Sequence, residues 1–375
     1  MLVRITERQT IPGCLDWNLS RSPDERHRAE AVKLKILILN EGQEYGLGAS
    51  YTRAFRELGH EVRLIDPLVE LNKFMAWRFP PTRRAFERQI ISVFNKQWLK
   101  HLVELPADLV WVGKGAWAVP WLWRQFKKQK PKTKLVCYNT DNPIVTYSRG
   151  GNRPWVTESI PCFDLYCTYN KSLVEPLRRG GARQVARIPF AWDAWLHPEV
   201  EISDADRRRY ECDVMFIGNG DPHRERWMRD IMAAAKPYHW RFAIYGCWNG
   251  CRDRSVSSVV RGEQIYCSGM AKAVRAAKIS LNILRLQNEG SHNMRTFEIP
   301  GCSGVMVSQK SPEQEEFFPE GQAAFYFSNA EECVTKMRRL LENDFLLQQV
   351  REVAHELARK HTYVHRAQQV CNDAL

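Results

Sequence analysis

The stretch KLKILILN at residues 33–40 decides the reading of the fold. A short apolar run bounded by polar residues suits a strand buried on both faces of a parallel sheet. It runs into a polar turn at residues 41–50 that contains Gly42, Gly46 and Gly48. Residues 51–58 then space their apolar side chains as a helix and stop at Gly59, a natural C-cap. Residues 61–65 supply the next strand. Strand, loop, helix and strand within about 30 residues open a doubly wound α/β sheet.

The same grammar continues outward. Strands are expected at residues 109–112 and 134–138 with a helix around 121–128 between them. Further strands are expected at 165–168 and 185–188, separated by a helix that ends at Gly180 and Gly181. A polar stretch at 199–211 reads as a linker or interdomain helix. The pattern then restarts with a strand at 213–217, the loop Gly218-Asn219-Gly220 and a helix from His223. Strands follow at 241–245, ending at Gly246, and at 279–284 and 304–308, with a helix start near Met294. Residues 331–374 are helical by period. The organisation expected is a loose arm at 1–31, a Rossmann-like domain at 32–195, a second at 196–355 and a final helix at 356–375.

Composition bounds the function classes. The chain has 375 residues, 44% hydrophobic and 26% charged, which are ordinary globular values that exclude a disordered or fibrous chain. No segment approaches the roughly 20 apolar residues of a membrane span. Arg4, Glu7 and Arg8 interrupt the N-terminus early, so no secretory leader is expected. The expected location is cytoplasmic, at most peripheral at a membrane. Among 11 cysteines, the spacings Cys162–Cys167 and Cys247–Cys251 do not make a C-x-x-C site, and buried free thiols are the expectation. His355, His361 and His365 have no acidic partner at ligand spacing, so no metal site is expected.

Charge is concentrated. The net charge is +12, and residues 73–134 hold 14 Lys and Arg against three Asp and Glu. Interleaved with them are Trp77, Phe79, Phe86, Phe94, Trp98, Trp117, Trp121, Trp123 and Phe126. Three readings stay open: core-facing helices with solvated basic backs, an anionic membrane contact, or a nucleic-acid track with aromatic stacking.

The stretch SLNILRLQNEGSHNMRTFEIPGCSGVMVS at 280–308 carries the chemistry. A strand runs into a polar loop, then a short helix with Arg295 and Glu298. Loops at the carboxyl ends of strands hold ligands in open α/β sheets. Arg295 offers a bidentate phosphate contact, and Glu298 can accept hydrogen bonds from a ribose diol. At i and i+3 the two could instead form only a surface ion pair. The segment YNTDNP at 138–143 is a second candidate. Its Asp141 can orient an acceptor hydroxyl, or act as general base in an inverting reaction. It can equally belong to an Asx-type turn before Pro143. His197, His223 and His292 are lone loop histidines, each a weaker phosphate or sugar contact.

These residues resemble the GT-B glycosyltransferases, and among them the CgeB-like (spore maturation protein) branch, a glycosyltransferase family 1-like group. The resemblance is carried by Arg295-Thr296-Phe297-Glu298, Gly304-Val305-Met306-Val307, and Glu316-Phe317-Phe318 with Gly321. It is also carried by residues 361–366, HTYVHR, and by 212–218, CDVMFIG, followed by Arg224. It implies two Rossmann-like domains facing across a cleft, with the C-terminal helix crossing back to the first. It implies a nucleotide-diphospho-sugar donor, a substrate rather than a cofactor, and no DxD-type metal site. Glu298 would hold the ribose. Gly218, Asn219, Arg224, Tyr245, Gly246, His292, Asn293, Arg295 and Thr296 would line the donor, with Gly46 and Gly48 at the cleft. Many retaining members carry two glutamates with seven residues between, which here falls on Gly290. Glu289, one residue off, is the nearest candidate beside Asp141, and retention is favoured over inversion. The rival reading is a non-catalytic GT-B-like protein that binds a nucleotide or a polyanion, either nucleic acid or anionic membrane.

Overall fold

The computed structural model describes residues 33–75, 86–144, 153–262 and 264–375. The expected arm at 1–31 lies outside the described residues, as do Trp77 and Phe79.

The first sheet contains β1 (Lys35–Leu39), β2 (Glu61–Ile65), β3 (Leu109–Gly113), β4 (Lys134–Asn139), β5 (Leu165–Thr168) and β6 (Val185–Arg187). Its order is β2-β1-β3-β4-β5-β6. Every pair is parallel, with Ile36 of β1 opposite Val62 on one side and Leu109 on the other. The second sheet contains β7 (Val214–Ile217), β8 (Phe242–Tyr245), β9 (Val260–Gly262), β10 (Ile279–Asn282), β11 (Met306–Gln309) and β12 (Ala324–Phe327). Its order is β12-β11-β10-β7-β8-β9. The order reverses between β1 and β3 in one sheet and between β7 and β10 in the other. Those two reversals place the crevices where such sheets bind ligands.

The continuous apolar pattern of β1 is explained by layers on both faces. Leu37 and Leu39 join Val110, Val112 and Cys137 beneath the helices Glu87–Glu104 and Pro120–Gln129. Phe94, Trp98, Trp117, Trp123 and Phe126 are spent in that core, each stabilising it by about 1.5–3 kcal/mol. Most aromatics of the basic segment therefore face inward. On the opposite face, Ile36, Ile38 and Trp111 meet Tyr51 and Phe55 of the helix Leu47–Glu57. Tyr363, Ala367, Val370 and Cys371 complete that layer, so the last helix, Tyr363–Ala374, does cross back to the first sheet.

The helical tail is three helices, Ala330–Leu341, Asp344–Ala358 and Tyr363–Ala374. The two crossing segments pair at Trp192 and Thr362. Trp192 lies so close over Gly301 that a Cβ there would sit 2.4 Å from its ring. Among the described residues no helix is long and apolar enough to cross a membrane.

Candidate functional site

The carboxyl ends of the two sheets meet. Tyr45, after β1, stacks on Tyr266, after β9, with ring centres 4.9 Å apart. Gln287, after β10, donates to Asp141, after β4, at 3.5 Å. Arg53 of the helix Leu47–Glu57 pairs with Asp193 at 2.6 Å.

On the second-sheet side, three loops are tied into one cradle. Gly246 has φ +143, and a Cβ there would lie 2.3 Å from the Gly218 carbonyl oxygen. Only glycine permits that backbone approach. The same carbonyl accepts from Trp248 Nε1 at 2.9 Å. The Asn219 side-chain oxygen accepts from the Cys247 N–H at 3.0 Å and from Gln264 Nε2 at 2.8 Å. Asp221 caps the helix Pro222–Ala235, accepting from the His223 and Arg224 N–H groups. Tyr245, at the end of β8, is buried, and its hydroxyl donates to the Arg209 carbonyl at 3.4 Å, away from that cradle.

Three guanidinium groups converge here. Arg224 is buried and donates to the Ile283 carbonyl at 3.0 and 3.2 Å and to the Asn219 carbonyl at 3.1 Å. It thereby joins the ends of β7 and β10. Burial, and then the nearby Arg285 and Arg295, push its pKa down to about 10. The only carboxylate within 4.0 Å of Arg224 or Arg285 among the described residues is Asp221, at 4.0 and 3.9 Å. Arg295 donates from Nε to the Ile217 carbonyl at 3.3 Å and from Nη1 to Glu298. Glu298 is only 3% exposed, which replaces the surface-pair reading with a buried one. His197 lies near this pair; burial lowers its pKa first, and its Nδ1 has no hydrogen-bond partner among the described residues.

Three neighbours expected to line the donor turn inward. Asn293 and Thr296 are buried in a network with Asn282, Ser308 and Gln314. His292 is fully buried among Tyr169, Phe190, Phe297 and Phe317. Its Nε2 accepts from the Phe190 N–H at 3.2 Å, which leaves Nδ1–H to donate to Glu313 at 2.9 Å. Burial lowers the His292 pKa and keeps the ring neutral. Burial pushes Glu313 up, but His292, the Lys171 N–H and Arg187 outweigh it and hold the carboxyl below its usual range. A lone loop histidine gives no sequence signal of such burial.

The first-sheet side is arranged differently. Gly46 caps the helix Leu47–Glu57. Gly48 and Gly113 make room for the Asn40 side chain, which a Cβ would approach to 2.9 and 2.4 Å. Lys114 stands in the left-handed region at φ 57, and its Nζ pairs with Asp141 at 2.5 Å. The turn before Pro143 is made by Asn139, whose side chain accepts the Asp141 N–H at 2.9 Å. Asp141 itself is held between Lys114 and Gln287. Glu289 is exposed, between Asn288, which accepts from the Tyr169 hydroxyl at 2.8 Å, and Gly290 at φ +73. Its side chain makes no ion pair among the described residues. Tyr45, Lys114, Gln264, Tyr266 and Arg285 also stand at this candidate site, and the sequence does not single them out. The G-K-G of residues 113–115 was the one visible signal. No three His, Cys, Asp or Glu side chains come together to hold a metal among the described residues.

A family described as "Glycosyl transferase-like" matches residues 224–372. Sucrose-phosphate synthase from Thermosynechococcus elongatus superposes with TM-score 0.65 at 13% identity, covering 91% of this chain and 98% of that one. Trehalose 6-phosphate synthase from Burkholderia multivorans gives TM-score 0.62 at 13% identity, covering 91% and 98%. HepE from Anabaena, in complex with UDP-glucose, gives 0.60 at 12% identity, covering 90% and 98%. No curated protein matches the chain by sequence. The likenesses show the two-domain GT-B fold.

Proposed function

We propose that the chain is a glycosyltransferase, of the CgeB-like branch, that moves a sugar from a nucleoside-diphosphate sugar to an acceptor hydroxyl without a metal ion, in the cytoplasm. The observation that supports this most is the convergence of Arg224, Arg285 and Arg295 on a glycine cradle at the β7/β10 crevice. Such a site neutralises the charge that develops on a departing diphosphate. The cradle of Gly218, Asn219 and Gly246 lets the phosphates approach backbone N–H groups closely. Glu298 takes the ribose diol, exchanging its contact with Arg295 for the ligand. Residues 196–355 hold the donor and residues 32–195 the acceptor. The Anabaena neighbour's UDP-glucose makes a uridine donor the first to try.

In the retaining course, the bond from C1 to the phosphate oxygen breaks and its electron pair leaves with the diphosphate. The acceptor oxygen bonds to C1 on the same face and gives its proton to the departing phosphate oxygen. Glu289, exposed on the loop after β10, is the carboxylate proposed for that face, and Asp141, steadied by Lys114 and Gln287, orients the acceptor. The concentration of positive charge in the first half favours an anionic or surface-bound acceptor. A second reading, a non-catalytic nucleotide binder, is favoured by one observation: Arg295–Glu298 and Lys114–Asp141 already satisfy each other.

A thermal-shift panel of nucleotide sugars, run with and without excess EDTA, tests the proposal. A ligand at 100 times its Kd adds about 2.7 kcal/mol of stability. The expected result is a raised Tm with one nucleotide class, unchanged by EDTA, and release of the nucleoside diphosphate by that donor. A shift without turnover of any donor supports the non-catalytic reading, and no shift with any nucleotide sugar removes both.

A further inference from the structure

The helices Glu87–Glu104 and Pro120–Gln129 lie on one face of the first sheet, and their inward sides are spent on its core. Asn95 locks them together. It accepts from the Val119 N–H at 2.8 Å and donates to the Trp117 carbonyl at 3.1 Å, fully buried. Their outward sides carry an excess of positive charge, with Glu104 exposed at the end of the first helix. Lys96, Lys100, Arg124 and Lys128 are exposed, and among the described residues none has a carboxylate within ion-pair distance. Neighbouring cations are matched: Arg88 pairs with Glu158 and Lys127 with Asp164. The face is therefore a rigid platform with a local excess of cations.

Apolar groups stand among those cations. Phe86 is 54% exposed, Val93 48% and Trp121 37%. Beside them a groove of about 580 Å³ opens between β2 and the helices Pro67–Met75 and Glu87–Glu104. Phe94, Trp98 and Leu102 form its apolar wall, and Arg63, Glu104 and the Lys73–Glu70 ion pair stand on its rim. Gln97 and His101 border both groove and platform by their place on the helix.

We propose that this face docks on an anionic lipid bilayer, with the cations on the headgroups and Trp121, Val93 and Phe86 at the acyl boundary. A polynucleotide track needs a row of exposed ring faces. Here Phe94, Trp98, Trp117, Trp123 and Phe126 are all buried, leaving Phe86 and Trp121 as separate exposed rings on this face among the described residues. Cations near such a surface strengthen attachment about fivefold each, and salt screens them. The inference rests on this face alone, so it and the transferase reading fail separately.

The test is co-sedimentation of the full chain with vesicles of equimolar phosphatidylcholine and phosphatidylglycerol, against phosphatidylcholine alone, across a salt series. The expected result is binding to the anionic vesicles only, lost near 1 M salt as the Debye length falls to about 3 Å. Combining Lys96→Ala, Lys100→Ala, Arg124→Ala and Lys128→Ala should lower partitioning at least about a hundredfold with an unchanged Tm. Trp121→Ala alone should lower it severalfold. If the fourfold variant melts early, the pairs Lys96→Ala/Lys100→Ala and Arg124→Ala/Lys128→Ala carry the same readout. Equal binding to both vesicles, binding to neither, or full binding by the folded variants overturns the proposal. So does a duplex-DNA gel shift lost in the variants while anionic vesicles are ignored.

Discussion

The two crevices are built on the same strand grammar and spend their charges in opposite ways. At the β7/β10 crevice, Arg224, Arg285 and Arg295 meet only Asp221 and Glu298 among the described residues, leaving an excess of positive charge. At the β1/β3 crevice, Lys114 and Asp141 cancel each other at 2.5 Å. The glycines differ too. Gly246 yields to a backbone carbonyl, whereas Gly113 yields to the end of the Asn40 side chain. The second half presents a rigid glycine cradle with excess positive charge, and the first an adaptable, neutralised face. A site that must stabilise one developing charge and accept a variable partner needs that division of labour.

The largest expected effect tests the rigidity. Gly246→Ala would place a Cβ against the Gly218 oxygen at a φ of +143, which costs about 2–4 kcal/mol through strain and overpacking. Gly113→Ala need only displace Asn40 and should cost about 1 kcal/mol or less by comparison. Chemical denaturation of both variants checks this, and equal losses would break the comparison.

A smaller effect concerns acid. His361 lies against Phe297, Phe317 and Phe318 and accepts from Arg366 at 3.1 Å. Burial, and then Arg366, lower its pKa to about 4. His197 and His292 are shifted the same way, each first by burial. Below about pH 6.5 the unfolded chain takes up protons that the folded chain refuses. Stability should therefore fall as pH drops from 6.5 towards 4. For His361 the loss is about 1–2 kcal/mol after discounting its partial exposure. Melting curves of His361→Gln should show a shallower fall than wild type. Identical curves would mean that other groups carry the acid sensitivity.

Much of this architecture was legible in the residues. Strands such as β1, β7 and β10 are buried on both faces, and their apolar runs announce it. β9 is three residues long at a sheet edge with two of them exposed, so no run marks it. β12, AFYF, was legible and passed over beside the helical tail. Within the site, glycine loops and the pair Arg295 and Glu298 are local patterns. Arg285 beside Arg224, Tyr45 on Tyr266 and Gln287 on Asp141 join residues far apart in the chain, and no spacing rule brings them together. The burial of His292, Asn293 and Thr296 was not legible, because a polar loop residue looks the same in sequence whether it faces solvent or a closed network.

Calorimetric titration of a uridine diphosphate sugar into wild type, Arg285→Ala, Glu298→Gln and Lys114→Ala tests the central claim most directly. Glu298→Gln removes a charge-assisted hydrogen bond worth about 1.5–3 kcal/mol, so affinity should fall about tenfold to a hundredfold. Arg285→Ala should weaken binding about tenfold, and Lys114→Ala should leave it within about twofold, because its charge belongs to the first half. Unchanged affinity in Arg285→Ala and Glu298→Gln, or a loss confined to Lys114→Ala, would contradict the assignment of the donor to the second crevice.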